Sequence, residues 1–307
     1  MLEKGEIEIY NCNEFSDIKE IGGGKHFLKL SMKIDNFYVE THVIEGSYGD
    51  VYSAKYRGEK IAFKKFIKPK DKILYNEIKQ HIIVNDHENV IKFLGVIASQ
   101  EPSSNDYMLV LQYANGGNLK DHLRSKTREG IFEILWTDLI QIAEQIVSGL
   151  KHLHDNNIVH RNLHPKNILI NDSKIMISGF GSAWRFDDSL ISLFDEGITY
   201  EYSDPQILIQ SRFIANFKSD IYSLGVILWE LTSGIRPFSE ISNKLSLISQ
   251  ISNGKREKTV PGTPSSYAKL YKKCWRTNPK NRPELEEILH KLQQSKNATE
   301  MIKNRIS

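Results

Sequence analysis

Apolar and polar residues alternate through most of the region between Phe37 and Ala114, a pattern typical of β-strands. A helical segment interrupts this pattern: Ile73, Ile78 and Ile82 can share one face there, and residues 70–84 contain no Gly or Pro. The pattern predicts a small strand-rich lobe with one helix. The strand-like stretches are residues 37–44, 51–56, 61–66, 90–97 and 107–114.

The second half of the chain is typical of helices. Thr137 or Asp138 can cap a long helix that runs to about His154. Residues 221–234 are apolar on nearly all sides, which indicates a buried central helix that ends near Gly234. We therefore predict an α+β fold with a β-rich N-lobe and a larger, mainly helical C-lobe. The predicted N-lobe comprises residues 37–113 and the C-lobe residues 114–293.

The two ends of the chain lie outside this pattern. We expect residues 1–36 to be a partly flexible N-terminal extension, and residues 294–307 a polar tail that frays. In the extension, Phe15 and Gly22 have the same spacing as Phe37 and Ile44. This repeat is either a duplicated strand with its glycine loop or a flexible Gly-rich linker.

Composition narrows the function classes. The 307 residues carry a formal net charge of +3, which does not argue for nucleic-acid binding. Two distant cysteines and the lack of an apolar leader favour an intracellular protein, which we place in the cytoplasm. An apolar run of about 18 residues, as a bilayer anchor requires, is missing from the sequence.

Motifs that carry chemistry follow one another in a fixed order. Gly46 and Gly49 lie in a turn between two strands, where backbone N–H groups can approach phosphates. Lys64, on the next strand, can neutralise phosphate oxygens. Glu77, on the following helix, can hold Lys64 in place. Each residue alone is weak evidence, but their order indicates a nucleotide site.

Further blocks complete the pattern and carry a resemblance to the protein-kinase family over residues 37–293. The most similar branch is that of the tyrosine and tyrosine-kinase-like kinases. The resemblance implies the bilobal protein-kinase fold with ATP as ligand. The blocks are His160-Arg-Asn162-Leu-His164-Pro-Lys-Asn167, Ser178-Gly179-Phe180-Gly181, Asp204-Pro-Gln206, Ser219-Asp220 and the late Arg282-Pro.

The resemblance also implies a role for each matching position. Val51 and Ala62 would cover the adenine from one side, and Leu169 from the other. Leu111 would be the gatekeeper. The hinge, Gln112 to Ala114, would offer backbone hydrogen bonds. The stack that links the two lobes, a packing role, would consist of His81, Phe93, His160 and Phe180, and Asp220 would anchor the catalytic loop.

Two departures from the family pattern remove carboxylates. Asn162 replaces the aspartate that accepts the substrate proton, and an amide is not basic near neutral pH. Gly179 replaces the aspartate that binds magnesium. Only Asn167 remains as a metal ligand, so we expect magnesium binding to be weak or absent, whereas ATP binding stays possible. His164 occupies the place of a phosphate-contacting lysine.

Three further positions bear on the site. Ile44 replaces the first glycine of the glycine loop and would narrow the adenine pocket. Gln206 replaces a glutamate that pairs, in the family, with an arginine matching Arg282, so we expect this ion pair to be lost. Neither Asp172, in a turn, nor Asp50, which we expect to point outward, is predicted to replace the missing aspartates.

The sequence predicts a pseudokinase that acts in signalling as a scaffold or an allosteric partner. Its expected partners are other signalling proteins or an active kinase, with no nucleic acid and no membrane anchor; the sequence does not define an oligomeric state. The alternative is a weakly active or unconventional ATP-dependent kinase that phosphorylates Ser, Thr or Tyr. The carboxylate losses favour the first hypothesis, and the retained Lys64, Glu77 and Asn167 keep the second open.

Overall fold

The structure is a computed structural model. Its contacts divide the chain into two compact units. A strand-rich unit contains the described residues up to Asp86 together with Ile91–Asn115, and a helical unit contains His87–Val90 and most of the chain from Gly116 onward. The structure describes residues 7–10, 14–22, 28–34, 37–43, 50–65, 71–98, 107–185, 199–209, 214–296 and 301–305.

The strand-rich unit is built on a six-stranded sheet in the order β1-β7-β8-β6-β5-β2. Alternation of apolar residues drives this sheet, because every second side chain of a strand reaches the same face. One helix, α1, spans Asp71–Val84. The strands of the unit are β1 Ile9–Tyr10, β2 Phe15–Gly22, β3 Leu28–Ile34, β4 Phe37–Val43, β5 Asp50–Tyr56, β6 Glu59–Lys65, β7 Phe93–Ala98 and β8 Tyr107–Gln112.

Three strands, β1, β2 and β3, lie in the segment that the sequence placed before the domain, and two of them join the six-stranded sheet. β1 pairs in parallel with β7, and β2 pairs antiparallel with β5. Tyr10 and Phe15 lie in one buried cluster with Tyr52 and Phe63, so burial of aromatic surface holds the segment to the sheet. The linker interpretation therefore does not describe residues 15–22. Strands β3 and β4 form a separate antiparallel pair.

The helical unit surrounds α5, whose residues from Ser219 to Ser233 are buried. Asn216 caps α5 with a capping box, which fixes where the helix begins. The long helix is α3; it begins at Trp136, before the predicted caps Thr137 and Asp138, and its residues Leu139, Ile142, Ile146, Leu150 and Leu153 are buried. The helices are α2 Leu119–Ser125, α3 Trp136–Asp155, α4 Pro205–Ile209, α5 Phe217–Ser233, α6 Lys244–Ser252, α7 Ser265–Cys274 and α8 Leu285–Gln294.

Short strands complete the helical unit. β12 pairs with β13, and β11 pairs with β14. Short 3₁₀ turns lie at Pro165–Asn167, Phe180–Ser182, Tyr200–Tyr202 and Pro279–Asn281. The strands are β9 Thr127–Arg128, β10 Ile131–Leu135, β11 Ile158–Val159, β12 Ile168–Asn171, β13 Lys174–Ile177, β14 Trp184–Arg185 and β15 Met301–Arg305.

The C-terminal tail differs from its prediction. We expected residues 294–307 to fray, but β15 pairs antiparallel with β10 over five residue pairs. Ile302 is buried, and the Asn304 side-chain amide donates to the Ser233 carbonyl at 2.8 Å. The adjacent apolar residues Met301 and Ile302 within a mainly polar segment were too weak a signal to predict a strand.

The fold class is confirmed by this architecture, a sheet-based unit and a mainly helical unit. Among the described residues, no helix is both long enough and apolar enough to cross a membrane.

Candidate functional site: the kinase positions

Lys64 and Glu77 form the charged centre of the strand-rich unit. Lys64 Nζ lies 2.8 Å and 2.9 Å from the two carboxylate oxygens of Glu77. The side chain of Lys64 is 12% exposed and that of Glu77 is 1% exposed. Low exposure strengthens an ion pair by removing competing water, and also makes each partner costly to lose. The predicted pairing is therefore present.

The apolar positions predicted to surround a purine lie next to this pair on adjoining strands. Val51 is opposite Lys64 in the β5–β6 ladder, and Ala62 is opposite Leu111 in the β6–β8 ladder. Ala62 and Leu111 are buried. The strand registers thus bring three of the predicted apolar residues and Lys64 together within one sheet.

The structure describes the predicted hinge but not the predicted glycine loop. Gln112 ends β8, and its backbone N–H donates to the Lys92 carbonyl at 2.9 Å. Ala114 follows it and is half-buried. Ile44, Gly46 and Gly49 lie outside the described residues, so their predicted roles stay predictions.

His81 and Phe93 stack with ring centroids 5.6 Å apart, also in the strand-rich unit. Burial lowers the pKa of His81 to about 3, and the charge of Lys64 adds to this effect. The imidazole is therefore neutral at physiological pH. In the helical unit, His160 and Phe180 have ring centroids 5.7 Å apart. The four residues predicted for packing roles thus form two pairs, one in each unit.

Asp220 anchors the catalytic loop in the helical unit, as predicted. Its carboxylate accepts from the backbone N–H groups of His160 at 2.8 Å and Arg161 at 2.9 Å. His154 Nε2 lies 2.9 Å from the same carboxylate. These bonds hold Arg161 in the left-handed region at φ +67°. Since non-glycine residues rarely adopt this backbone conformation, the carboxylate has a clear structural purpose.

Asn162, Asn167 and Gly179 lie together in the same unit. Asn167 Nδ2 donates to the Asn162 carbonyl at 2.9 Å, and the Asn167 carbonyl accepts from Ser178 N–H at 2.8 Å. Gly179 has φ +82°. A Cβ added to Gly179 would lie 2.6 Å from both Cγ and Oδ1 of Asn167. The Asn167 amide therefore fills the space into which a side chain at position 179 would begin.

His164 and Leu169 support the loop that connects these residues. His164 Nδ1 accepts from the Lys166 backbone N–H at 3.3 Å and caps the turn Pro165–Asn167. Burial lowers the pKa of His164 to about 3, with further contributions from His160 and two lysines. A neutral imidazole cannot supply the positive charge of a phosphate-contacting lysine. Leu169, opposite Met176 in the β12–β13 pair, is half-buried.

The residues present do not fit a magnesium site. Within the part of the chain that the structure describes, no group of three or more His, Cys, Asp or Glu side chains could hold a metal. Asn167 offers one neutral oxygen, and Gly179 offers none. Asp172 is exposed in its turn. Asp50 is buried and thus differs from the outward orientation that the sequence predicted. Magnesium prefers hard, charged oxygen ligands, and neither Asn167 nor Gly179 supplies one.

The ion pair between residue 206 and Arg282 is lost as predicted, since Gln206 carries no charge, but Arg282 is not left unpaired. The Arg282 guanidinium donates to both Asp204 oxygens at 2.6 Å and 2.8 Å, and both side chains are fully buried. Gln206 Nε2 and Arg282 Nη2 both donate to the Thr277 carbonyl. Sequence reasoning did not identify Asp204 as the partner of Arg282.

Sequence reasoning also missed a buried hydrogen bond between Tyr202 and Glu230 of α5. The Tyr202 hydroxyl donates to Glu230 at 2.5 Å. Burial raises the pKa of Glu230 to about 8, although the Tyr202 hydrogen bond and Lys120 oppose this change. The carboxyl group is therefore mainly protonated at neutral pH. Glu230 is the only charged residue between Ile221 and Ser233 of α5, and this charge in a mainly apolar stretch was the available signal.

This fold and the order of these positions define a protein kinase domain. The chain belongs to the protein tyrosine and serine/threonine kinase family, whose pattern matches residues 37–292. The match starts after β1 and β2, although both strands lie in the same sheet as the matched strands.

Relatives occur on both sides of the family. The chain is 28% identical to an Arabidopsis thaliana serine/threonine-protein kinase, over 92% of this chain and 46% of the relative. It is 28% identical to the tyrosine-protein kinase Abl of Drosophila melanogaster, over 85% of this chain and 16% of the relative. It is 31% identical to mitogen-activated protein kinase kinase kinase 13-A of Xenopus laevis, over 80% and 24%. The chain thus spans less than half the length of these relatives.

Proposed function

We propose that the chain is a pseudokinase that acts in signalling as a scaffold or an allosteric partner. The observation that carries this proposal is the arrangement of Gly179 and Asn167. The metal carboxylate is missing, and the Asn167 amide fills the space where its side chain would start. Without bound metal, the charge that develops on a transferring phosphoryl group loses its main stabilisation.

The position of the general base adds to the argument. Asn162 can accept a hydrogen bond but cannot take up a proton near neutral pH. Loss of a general base lowers rates by about 10²–10⁴-fold, so this change alone would leave a slow enzyme. Together with the missing metal ligand, it supports the absence of phosphate transfer.

Nucleotide binding is a separate part of the proposal. The Lys64–Glu77 pair is closed and mostly buried, and Val51, Ala62 and Leu111 lie beside it. This half of the site would hold the phosphates of ATP through Lys64 without a metal. In this role ATP would stabilise the domain and favour one conformation for a signalling partner, such as an active kinase.

The second candidate is a weakly active ATP-dependent kinase that phosphorylates Ser, Thr or Tyr. The intact Lys64–Glu77 pair favours it, as do the relatives, each of which is described as a kinase. It would have to act with Asn162 and Asn167 alone. A metal ion more tolerant of neutral ligands than magnesium, such as manganese, would then be needed.

The decisive experiment combines ATP binding with phosphate transfer on the full chain. Thermal shift is measured with ATP alone and with ATP plus magnesium or manganese. We expect ATP alone to raise the Tm, the metals to add nothing, and Lys64→Met to abolish the shift. Transfer of labelled phosphate to the chain or to a mixed protein substrate should be undetectable with either metal.

Reversion then tests the two lost aspartates. The Asn162→Asp variant should stay inactive, because the metal site is still absent. The double variant Asn162→Asp, Gly179→Asp should gain activity only to the extent that the Asn167 side chain moves away and makes room for the new aspartate. Lys64→Met in the double variant is the control for contaminating kinases. Transfer by the unmodified chain that Lys64→Met abolishes would establish the second candidate instead.

A further inference from the structure

Four cations lie on the helical unit around the catalytic loop, and we call them the basic patch: Lys120, Lys166, Arg236 and Lys244. Lys120 lies in the first turn of α2, and Lys166 is the middle residue of the turn Pro165–Asn167. Helix α2 packs against this turn, so both lysines belong to one surface. Lys120, Lys166, Arg236 and Lys244 are exposed.

The charges of the patch act on one another. The pKa of Lys166 is lowered, first by burial and then by the charge of Lys120, with Arg236 contributing in the same direction and Asp121 in the opposite one. Within the described ranges, neither Lys120 nor Lys166 forms an ion pair. Like charges held this close are unfavourable unless an anion lies between them.

Nearby carboxylates do not supply that anion. The Asp121 carboxylate accepts from the Asn118 side chain at 2.7 Å, within its own helix. Glu201 forms an ion pair with Arg236. Glu230 is buried, and its carboxyl group bonds to Tyr202. The patch therefore keeps a local excess of positive charge, although the whole chain has a net charge of only +3.

The patch lies beside the turn Tyr200–Tyr202. His164, adjacent to the turn that holds Lys166, has its ring centroid 6.1 Å from that of Tyr202. Lys244 Nζ lies 4.4 Å above the Tyr200 ring. The turn Tyr200–Tyr202 is thus bordered by Lys244 on one side and by the catalytic loop on another.

We infer that the basic patch binds an acidic segment of a partner protein, through aspartate, glutamate or phosphorylated side chains. The inference rests on the proposed function as a protein-binding kinase domain and specifies the chemistry of the partner. Ion pairs with a rim of lysines raise the association rate and exclude basic segments. A polypeptide fits better than nucleic acid, since the excess charge is confined to a few side chains and the chain as a whole has a net charge of only +3.

Binding to the full chain is measured by fluorescence anisotropy with two labelled peptides. One peptide alternates Glu with Gly, Ser and Tyr, and its control has Gln at each Glu position. We expect the Glu peptide to bind at least about 10-fold more tightly at low salt, and the difference to shrink at high salt. Equal binding of the two peptides would overturn the inference.

Variants locate the binding surface. The double variant Lys120→Glu, Lys166→Glu should weaken Glu-peptide binding by about 10-fold or more. Lys272→Glu, an exposed lysine on α7, is the matched control and should leave binding unchanged. The milder double variant Lys120→Gln, Lys166→Gln replaces the first if its melting temperature falls. Binding that persists in folded double variants would show that the patch is not the site.

Two further arms separate the explanations. A single-stranded DNA of matched charge that binds more tightly than the Glu peptide would overturn the choice of a polypeptide. All peptide binding is measured without ATP, so this test does not depend on phosphate transfer. Phosphate transfer by the chain in the separate assay would contradict the pseudokinase proposal but not the peptide-binding result. Failure of the peptides to discriminate would contradict only the partner chemistry.

Discussion

The two units have kept different kinds of charged residue. In the strand-rich unit, Lys64 and Glu77 retain the pair that would serve a nucleotide, with N–O distances of 2.8 Å and 2.9 Å. In the helical unit, the positions for chemistry are Asn162 and Gly179, which carry no charge. The carboxylate that anchors the catalytic loop, Asp220, is nevertheless retained and buried.

This difference separates charges that maintain the fold from charges that perform transfer. Asp220 and Asp204 satisfy backbone N–H groups and a guanidinium, so their loss would leave buried partners unsatisfied. An aspartate at position 179 would have no such structural partner to satisfy. A domain that lacks the second kind of carboxylate can still fold, whereas removal of the first kind destabilises it.

The largest expected effect concerns the carboxylates that maintain the fold. Asp204→Ala should lower the free energy of unfolding by about 3–5 kcal/mol, because it leaves a buried guanidinium unpaired. Urea unfolding provides the measurement. Adding Gln206→Glu should recover much of the loss, since Gln206 and Arg282 already share the Thr277 carbonyl. Gln206→Glu alone serves as control, and no recovery in the double variant would show that a carboxylate at position 206 does not reach Arg282.

A smaller effect tests how tightly the Asn167 side chain packs against position 179. Gly179→Ala should lower the free energy of unfolding by about 2–3 kcal/mol, through the left-handed backbone and contact with Asn167. Gly262→Ala is matched in backbone, at φ +84° with no neighbour within 4 Å, and should cost only about 1 kcal/mol. Equal losses would mean that Asn167 yields freely, and a metal carboxylate could then return at position 179.

The smallest effect concerns the neutral imidazole of the catalytic loop. Folding lowers the pKa of His164 from 6.5 to about 3, so between these values the unfolded chain binds a proton that the folded chain does not. Stability therefore falls as the pH falls, by about 2 kcal/mol from this residue between pH 7 and pH 5. His164→Gln should remove that part of the loss in urea unfolding at the two pH values. His290→Gln, an exposed control on α8, should behave like the unmodified chain.

Much of the fold was predictable because its signals are repeated along the chain. Alternation gave the strands around Lys64, helical spacing gave α3 and α5, and the order of motifs placed Glu77 against Lys64. Strand β2 was harder to predict because the family pattern begins at residue 37. The spacing from Phe15 to Gly22 equals that from Phe37 to Ile44, which indicated a strand, but a Gly-rich linker was equally compatible with these residues.

Other features of the site depend on distances between side chains, which the order of residues in the sequence does not reveal. The sequence correctly predicted that Gln206 cannot form the family's ion pair with Arg282. It did not predict that the Asp204 carboxylate, two residues earlier, reaches the same guanidinium. The contact between Asn167 and residue 179 likewise needs the path of the backbone, since both residue types are compatible with an open site.

Strand β15 has a practical consequence for anyone preparing this domain. A protein trimmed to the family match would end at residue 292 and lose the partner of β10. The backbone groups of Ile131–Leu135 that now face β15 would become an open edge, and the cover over buried Phe132 and Ile134 would be thinner. Open, apolar strand edges pair with other chains, so the trimmed protein would be prone to aggregate. The last residues are best kept in any expression experiment.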